Sequence, residues 1–287
     1  MRSPMDNSID LHLHSIYSDG SDSPEEIVKK ASQLKLRALS LTDHDSVDGI
    51  PEMIEHCKKA DIEFVPGIEL STDYEGHEIH ILAYYFDYTD EKFLSMLSEN
   101  VKARDVRTER ILSALRDNGF NITLEDLYEL NPAAVITRAH IATYLFKTEQ
   151  IKCQKDAFDK YIGDGKCCFF KREKINSLDA IKLVKDIGGI AVIAHPPLYR
   201  METGELDRVI STFKDNGLEG IEAIYSTYHN DDERNMRELA KKYNLLLTGG
   251  SDYHGINKPF IHLGGGRGNL HVPYKYFEKL KEAHFNN

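Results

Sequence analysis

Short apolar runs alternate with longer helical patterns over the first 86 residues of the chain. The runs lie at residues 9–13, 38–41, 63–68 and 79–85. Between the first two, Ser23-Pro24-Glu25-Glu26 precedes apolar residues spaced three and four apart, which is a capping box with proline at the first helical position. This alternation predicts βα units and a mainly parallel sheet.

The alternation stops after residue 86. Residues 92–116 form a long, charged, periodic helical pattern, and residues 138–146 form another. About eighty residues without a predicted strand far exceed the usual βα connection of about 2 to 6 residues. We therefore predict an inserted helical domain, residues 90–172, that caps one end of a barrel domain formed by residues 1–89 and 173–287.

The alternation resumes in the last third of the chain. Helical patterns at 178–187, 205–216 and 233–243 separate apolar runs at 190–194, 220–225 and 245–248. Together with the earlier runs, these give about seven strands, close to the eight of a closed α/β barrel. The predicted fold class is therefore α/β and barrel-like, with one helical insertion.

Composition narrows the class of protein further. The 287 residues are 41% apolar and 29% charged, which suits a globular chain with a sizeable core and excludes a disordered or collagen-like one. The 36 basic and 47 acidic side chains give a net charge of −11, so the chain repels long polyanions. We therefore expect small phosphorylated substrates rather than duplex DNA.

Cysteine use and hydropathy indicate the compartment. The four cysteines form no C-x-x-C pair, and we expect all of them to be reduced. The N-terminus lacks the apolar core of a signal peptide, and no stretch approaches the roughly 20 apolar residues of a spanning helix. We therefore expect a cytoplasmic protein without membrane association. The oligomeric state is left open.

Histidines and carboxylates gather at the ends of the predicted strands. His12 and His14 end the first run, and their spacing of two places both imidazoles on one face of a strand. Because barrel strand ends converge on one mouth, these residues are expected to meet. Imidazole and carboxylate ligands together suit Zn²⁺, Mn²⁺ or Fe²⁺. The predicted metal ligands are His12, His14, Asp19, His44, Glu69, His80, His195, Asp252 and His254.

The motifs around these positions resemble the PHP (polymerase and histidinol phosphatase) family. The matching segments are Asp10-Leu11-His12-Leu13-His14-Ser15, Ser18-Asp19-Gly20, Thr42-Asp43-His44-Asp45, Pro66-Gly67-Ile68-Glu69, His77-Glu78-Ile79-His80, Ala194-His195-Pro196 and Gly250-Ser251-Asp252-Tyr253-His254. Within the family, the chain is most similar to nucleotide-directed phosphoesterases, which include a nucleoside 3′,5′-bisphosphate phosphatase and a 5′-3′ exoribonuclease. That second likeness rests on the segments Thr137-Arg138-Ala139-His140-Ile141-Ala142, Tyr161-Ile162 and Gly165-Lys166 of the insertion.

The resemblance implies a distorted (β/α)7 TIM-like barrel that holds two or three divalent ions of Mn, Fe or Zn. Transferred position by position, the ligands of the first ion would be His12, His14, Glu69 and Asp252. A second ion would share the bridging carboxylate, with the ligands Glu69, His80 and His195. The ligands of a third ion would be Asp19, His44 and His254.

The implied chemistry is hydrolysis of a phosphate ester. Clustered divalent ions offset the repulsion between an anionic phosphate and an anionic nucleophile, and they lower the pKa of a bound water toward about 7. We therefore expect a metal-bridging hydroxide to attack phosphorus. His195, His229 and Asp45 are candidate catalytic residues, and Asp45 has the simpler interpretation of a group that orients a ligand histidine.

Candidate phosphate-binding residues lie mostly in the insertion. Arg138 and His140 stand at the start of a predicted helix, where a helix N-terminus and a guanidinium can together receive a phosphate. The further candidates are Ser15, Lys166 and Arg200.

Other charged and aromatic residues of the insertion have a structural interpretation. The basic side chains of residues 102–110 alternate with acidic ones, which predicts a solvated helix face rather than a nucleic-acid site. Phe169 and Phe170 are interpreted as core or domain contacts. Related sequences tend to carry tyrosine and proline after the Gly-Lys pair, where this chain has Cys167 and Cys168, so the segment that would meet the nucleoside differs.

The leading prediction is hydrolysis of phosphate monoesters of nucleotides, such as nucleoside 3′,5′-bisphosphates, or of short 5′-phosphorylated oligonucleotides. A histidinol-phosphate-type phosphatase would use similar ligands but has no evident need for the insertion that carries Arg138. A non-catalytic metal-binding accessory module is a second alternative, and a metal-dependent amidohydrolase is a third. All the predicted ligand positions are present, which favours an enzyme.

Overall fold

The computed structural model describes residues 8–171 and 174–286, which form an α/β fold. Its strands are β1 (Ser8–Leu13), β2 (Ala38–Leu41), β3 (Glu63–Phe64), β4 (Gly67–Tyr74), β5 (His77–Tyr84), β6 (Ile175–Asn176), β7 (Ile190–Ile193), β8 (Gly220–Tyr225), β9 (Leu246–Gly250) and β10 (Val272–Pro273). Its α-helices are α1 (Pro24–Leu34), α2 (Ile50–Lys59), α3 (Glu91–Asp117), α4 (Leu124–Leu130), α5 (Arg138–Lys147), α6 (Gln154–Ala157), α7 (Ser177–Asp186), α8 (Thr203–Asp215), α9 (Asn230–Tyr243) and α10 (Lys275–Asn286). Within the described residues, none of the helices combines the length and the apolar character needed to cross a bilayer.

The strands form two sheets that meet at two seams. The sheet orders are β10-β1-β2-β3 and β6-β4-β5-β7-β8-β9. Isolated parallel bridges join His44 to Glu69 at one seam and Leu13 to Tyr253 at the other. The seven main strands therefore follow one another around an irregular ring, with short pairing at each seam.

The prediction of a mainly parallel sheet was wrong for the middle of the ring. Strand β4 pairs antiparallel with β5, and β5 pairs antiparallel with β7. Glu75 and Gly76, both with positive φ, link β4 to β5 as a two-residue hairpin loop, so no helix intervenes. The predicted strand at 63–68 is divided at Pro66, which has no backbone N–H to donate. Glu69 therefore lies near the start of β4 rather than at a strand end.

The helix ends follow the local sequence signals. Ser23 and Glu26 form the predicted capping box at the start of α1, with Pro24 at the first helical position. Thr137 caps α5 in the same way, with His140 as the reciprocal partner. Helix α1, which follows β1, and helix α5, which lies within the insertion, therefore each begin at a residue that local hydrogen bonds fix.

The insertion has a hydrophobic cluster of its own, while α3 contributes to two clusters. Phe93 and Leu97 pack in the main barrel cluster, whereas Ile111 and Leu115, about four and five turns beyond Leu97 along α3, pack in the insertion's cluster. This supports a separate capping unit at 90–172, which stays a prediction. Its predicted boundary at 172/173 lies outside the described residues.

Gly250 permits the close contact between β9 and β1 that carries the first two histidines. A Cβ at Gly250 would lie 2.4 Å from the backbone nitrogen of His12. We predict that Gly250→Ala lowers the free energy of unfolding by about 1–3 kcal/mol, because one strand must move. Gly204→Ala in α8 is the control, since a Cβ there meets nothing within 4 Å. Urea denaturation measures both variants, and a Gly250→Ala protein as stable as the parent contradicts the close-contact argument.

Candidate metal centre

The nine predicted ligands converge at one end of the ring. His12 lies on β1, Glu69 on β4 and His80 on β5, while the other six lie in the segments that follow β1, β2, β7 and β9. Within each of three groups, the potential ligand atoms lie within 4.8 Å of one another. The groups are His12, His14, Glu69 and Asp252; His14, Asp19, His44 and His254; and His44, Glu69 and His80.

Glu69 lies at the centre of this cluster. Its Oε1 is 2.8 Å from His80 Nδ1 and 2.9 Å from His195 Nε2, and its Oε2 is 3.1 Å from His12 Nε2. His14 Nε2 lies 3.2 Å from the same Oε2. The resemblance to the family implied that Glu69, His80 and His195 share a second ion. In the structure the corresponding group contains His44 in place of His195. His195 nevertheless contacts Glu69 through Nε2. One buried carboxylate thus contacts imidazoles from four separate segments.

Several buried ligand atoms make close contacts with oppositely charged groups but no well-oriented hydrogen bond among the described residues. They are His14 Nε2, Asp19 Oδ1 and His44 Nδ1. A buried polar atom without a partner costs about 1–3 kcal/mol, so such a concentration is expected only where something else binds. Imidazole and carboxylate atoms without thiolates are the donors that Mn²⁺, Fe²⁺ and Zn²⁺ accept. The residues present therefore fit divalent metal ions.

The electrostatics of the cluster point the same way. Burial by itself would raise the pKa of Glu69, but the surrounding imidazoles, His12 and His44 first, hold this pKa well below its usual range. Burial would lower the pKa of His12, yet Glu222 and Glu69 raise it well above the usual value. The neighbouring carboxylates likewise raise the pKa of His14 and His80 to about 9, so protons on His12, His14 and His80 balance carboxylates when no metal is bound. A metal ion that binds to these nitrogens displaces their protons.

Three residues at the site have a left-handed backbone. Asp45, His195 and Asp252 have φ values of 52°, 31° and 56°. Such conformations cost non-glycine residues about 1–3 kcal/mol and persist only where surrounding packing enforces them. All three are buried and lie in segments that follow strands, so their strained backbones are held by the packing around the cluster.

Glu222 is a site residue that sequence reasoning missed. It is fully buried on β8, its Oε1 is 2.9 Å from His12 Nδ1, and its Oε2 accepts a 2.9 Å hydrogen bond from the His195 backbone N–H. A carboxylate that accepts a hydrogen bond from one ring nitrogen of a ligand histidine fixes the orientation of the ring and leaves the other nitrogen for the metal. The sequence contained one signal that could have identified Glu222, because an acidic residue between Ile221 and Ala223 is unusual in a predicted buried strand.

A cavity of about 190 Å³ opens beside the cluster. Asp19, His44 and His80 line it from the barrel side, so part of the metal centre faces it. The cationic side chains that line it are Arg104, Arg107, Arg138 and Lys174. We call this space the cap cavity, because all these cations except Lys174 belong to the insertion.

The prediction of a solvated helix face was wrong for Arg104. This residue is buried, forms an ion pair with Asp45 and donates a 3.1 Å hydrogen bond to Ser71 Oγ. Asp45 therefore binds a cation of the insertion and the Ser71 backbone N–H. The sequence pattern indicated ion-pair partners for Arg104 only within one turn of its own helix, whereas its actual partner, Asp45, lies 59 residues away in the sequence.

The predicted phosphate-binding residues lie in different environments. Arg138 lines the cap cavity and donates a 2.8 Å hydrogen bond to Asp164. His140 is buried, and its Nδ1 accepts the Thr137 backbone N–H at 2.9 Å, so it caps α5 instead of facing the cavity. Ser15 is fully buried and donates its hydroxyl to Asp43, which corrects its predicted contact with substrate.

Three other predicted residues lie away from the site. Lys166 and Arg200 are exposed and line none of the described cavities. His229 is exposed at the N-cap of α9 and belongs to none of the three ligand groups. The structure therefore does not bring these three side chains to the metal centre.

Comparisons with known proteins agree with this geometry. The PHP domain family matches residues 10–243. The 5′-3′ exoribonuclease of Haemophilus influenzae is 35% identical over 250 residues, which cover 87% of this chain and 91% of that protein. The 3′,5′-nucleoside bisphosphate phosphatase of Chromobacterium violaceum is 30% identical over 249 residues, 86% of this chain and 87% of that protein. A solved Bifidobacterium adolescentis structure, assigned to the metal-dependent phosphoesterases, has a TM-score of 0.86 at 27% identity and covers 97% of this chain and 96% of its own.

The chain belongs to the PHP domain family, as its motifs predicted. It is a hydrolase, a metal-dependent phosphoesterase, and the His, Asp and Glu cluster is its metal-binding centre. The predicted α/β fold class is confirmed by the same comparisons.

Glu222→Gln tests the support of the metal centre. We predict that it lowers the affinity for Mn²⁺ by about 10- to 100-fold, because His12 loses the charge that orients its ring. Ligand binding raises the thermal midpoint, so the Mn²⁺-dependent shift of that midpoint reports the affinity. Glu238→Gln, an exposed glutamate of α9, is the control. Equal Mn²⁺ shifts in parent and Glu222→Gln contradict the role, and no shift with Mn²⁺, Fe²⁺ or Zn²⁺ in the parent contradicts the metal centre itself.

Proposed function

We propose that this enzyme hydrolyses phosphate monoesters of nucleotides, such as nucleoside 3′,5′-bisphosphates, or short 5′-phosphorylated oligonucleotides. The observation that carries the proposal is that metal-ligand side chains and four cationic side chains line the same small cavity. Four cationic side chains suit a substrate that carries more negative charge than a single phosphate group. The similarity to an exoribonuclease and to a nucleoside bisphosphate phosphatase supports the same substrate class.

Two or three divalent ions, Mn, Fe or Zn, would occupy the three ligand groups, two of which contain Glu69. When bound, such ions offset the negative charge of the phosphate and make a water nucleophilic near neutral pH. The protein fixes the ions through His12 and its neighbours, and Glu222 holds His12 from behind. In this assignment Asp19, His44 and His254 form the ligand set nearest the insertion.

The guanidinium groups of the cap cavity bind and orient the substrate. Arg138 and Arg104 carry planar guanidinium groups, whose donors suit phosphoryl oxygens, and carboxylates hold both of them, Asp164 and Asp45 respectively. Asp45 holds Arg104 in place, so Asp45 acts as a positioning residue through that arginine. Arg107 donates to the Phe170 carbonyl at 2.6 Å, which fixes the wall of the cavity. The insertion at 90–172 thereby serves as the cap over the phosphate.

His195 remains the candidate proton carrier. Its Nε2 faces Glu69, while its buried Nδ1 has no hydrogen-bond partner among the residues that the structure describes. A protonated ring at this position would donate to the leaving alcohol. The alternative substrate, histidinol phosphate, carries a single phosphate and a cationic amine, and four cavity cations disfavour it.

Side-by-side turnover with Mn²⁺-loaded protein tests the proposed function. We expect phosphate release from adenosine 3′,5′-bisphosphate or mononucleotide release from a 5′-phosphorylated oligoribonucleotide, at least 10-fold above release from histidinol phosphate. His14→Ala should abolish these activities while circular dichroism shows a retained fold. Preference for histidinol phosphate would overturn the substrate class, and an active His14→Ala protein would overturn the role of the cluster.

Arg138→Ala should lower kcat/KM for adenosine 3′,5′-bisphosphate by about 10- to 100-fold, because a charge-assisted hydrogen bond to phosphate contributes about 1.5–3 kcal/mol. Metal content, measured by elemental analysis, should not change. Lys166→Ala removes an exposed cation of the same insertion and should leave kcat/KM within about twofold of the parent. Equal effects of both substitutions would contradict a specific contact of Arg138 with the phosphate.

A further inference from the structure

A second cavity, of about 280 Å³, opens on another side of the metal centre. Asp252, a member of the first ligand group, lines it, whereas the cap cavity is lined by Asp19, His44 and His80. The two cavities share no lining residue. The metal centre therefore meets two separate spaces, and only one of them is used by the proposed phosphate contacts.

The walls of this second cavity are largely apolar and aromatic. Phe260, in the segment after β9, is 79% exposed, and Leu198, in the 3-10 helical segment Pro196–Tyr199, is 45% exposed. Tyr225 lies deeper, buried, and donates its hydroxyl to Asp252. A large exposed aromatic ring at the wall of a cavity is a platform on which a planar ring can stack.

Hydroxyl-bearing residues form the polar part of the cavity wall. Ser226, Thr227 and Ser251 line it together with Tyr225. A hydroxyl group can donate one hydrogen bond and accept others, so this part of the wall suits the polar edge of a ligand.

Charge at this cavity favours a nucleotide over a neutral apolar ligand. Lys258 Nζ lies 2.6 Å from Asp252 Oδ2, so one cation stands between the cavity and the metal centre. Arg267 also lines the cavity, and its guanidinium has no ion pair with any described residue. A flat ring with a polar edge, attached to an anionic phosphate, matches the apolar wall, the hydroxyls and the cations together.

We propose that the second cavity binds the nucleobase of the substrate, stacked on Phe260, while the cap cavity binds the phosphate under attack. This assignment rests on the proposed function and deepens it, because it gives the enzyme a reason to prefer nucleotides over other phosphate esters. The base lies on the Asp252 side of the metal centre, and the reacting phosphate lies on the Asp19 side. The substrate thus crosses the centre from one cavity to the other.

Tryptophan fluorescence tests the location directly, because the chain contains no tryptophan. Leu198→Trp places a single reporter at the second cavity, and Phe146→Trp places one on an exposed position of α5. In Mn²⁺-loaded protein, adenosine 5′-monophosphate should change the Leu198→Trp emission saturably, whereas ribose 5-phosphate should not. Neither ligand should change the emission of Phe146→Trp. Equal responses to both ligands at Leu198→Trp, or none to the nucleotide, overturn the assignment.

Phe260→Ala tests the stacking contact in the active enzyme. We expect kcat/KM for adenosine 3′,5′-bisphosphate to fall by about 5- to 100-fold, while kcat/KM for an abasic sugar bisphosphate stays unchanged. Phe146→Ala is the matched control and should affect neither substrate. Equal losses on both substrates, or no loss on either, reject the base-binding role. If the parent hydrolyses other esters but no nucleotide, the proposed function fails instead, so the two failures are distinguishable.

Discussion

The structure depends on the burial of several carboxylates and imidazoles around Glu69. Charged groups in a protein interior are tolerated only when opposite charges and hydrogen bonds surround them. Here the imidazoles come from β1, β5 and the segments after β2 and β7, so no single element can satisfy the carboxylate. The strand ends must therefore meet, and the cluster that they form is the metal-binding centre. The irregular ring of strands is the architecture that brings them together.

A layer of side chains behind the ligands holds them in place. Glu222 connects the His12 ring to the His195 backbone, and Asp43 accepts hydrogen bonds from Ser15 and Ser18 beneath the first histidine pair. These contacts lie within or close to the barrel strands, where backbone hydrogen bonds limit movement. The hydrogen bond from the His195 backbone N–H to Glu222 also helps to hold the left-handed backbone of His195. Rigid support of this kind keeps ligand geometry close to what a metal requires.

Helix α3 couples the cap to the metal centre. Its first part packs in the barrel cluster through Phe93 and Leu97, and its last part packs in the insertion's cluster through Ile111 and Leu115. Arg104 lies between these two parts and reaches Asp45 and Ser71 of the barrel. One continuous helix therefore sets the distance between the cationic side chains of the cap and the ligands.

The sequence alone identified the histidines and carboxylates that gather around Glu69, most of the helices and strands, and the family, because these depend on local motifs and periodicity. Ser23 with Glu26, and the His12 and His14 pair, are examples that need no long-range information. The antiparallel hairpin of β4 and β5, the role of Glu222, the burial of Arg104 and the second cavity were decided only by the tertiary structure. Glu222 meets His12 across 210 residues and Arg104 meets Asp45 across 59. Contacts that distant arise from strand order and packing, which leave no periodic signal in the chain.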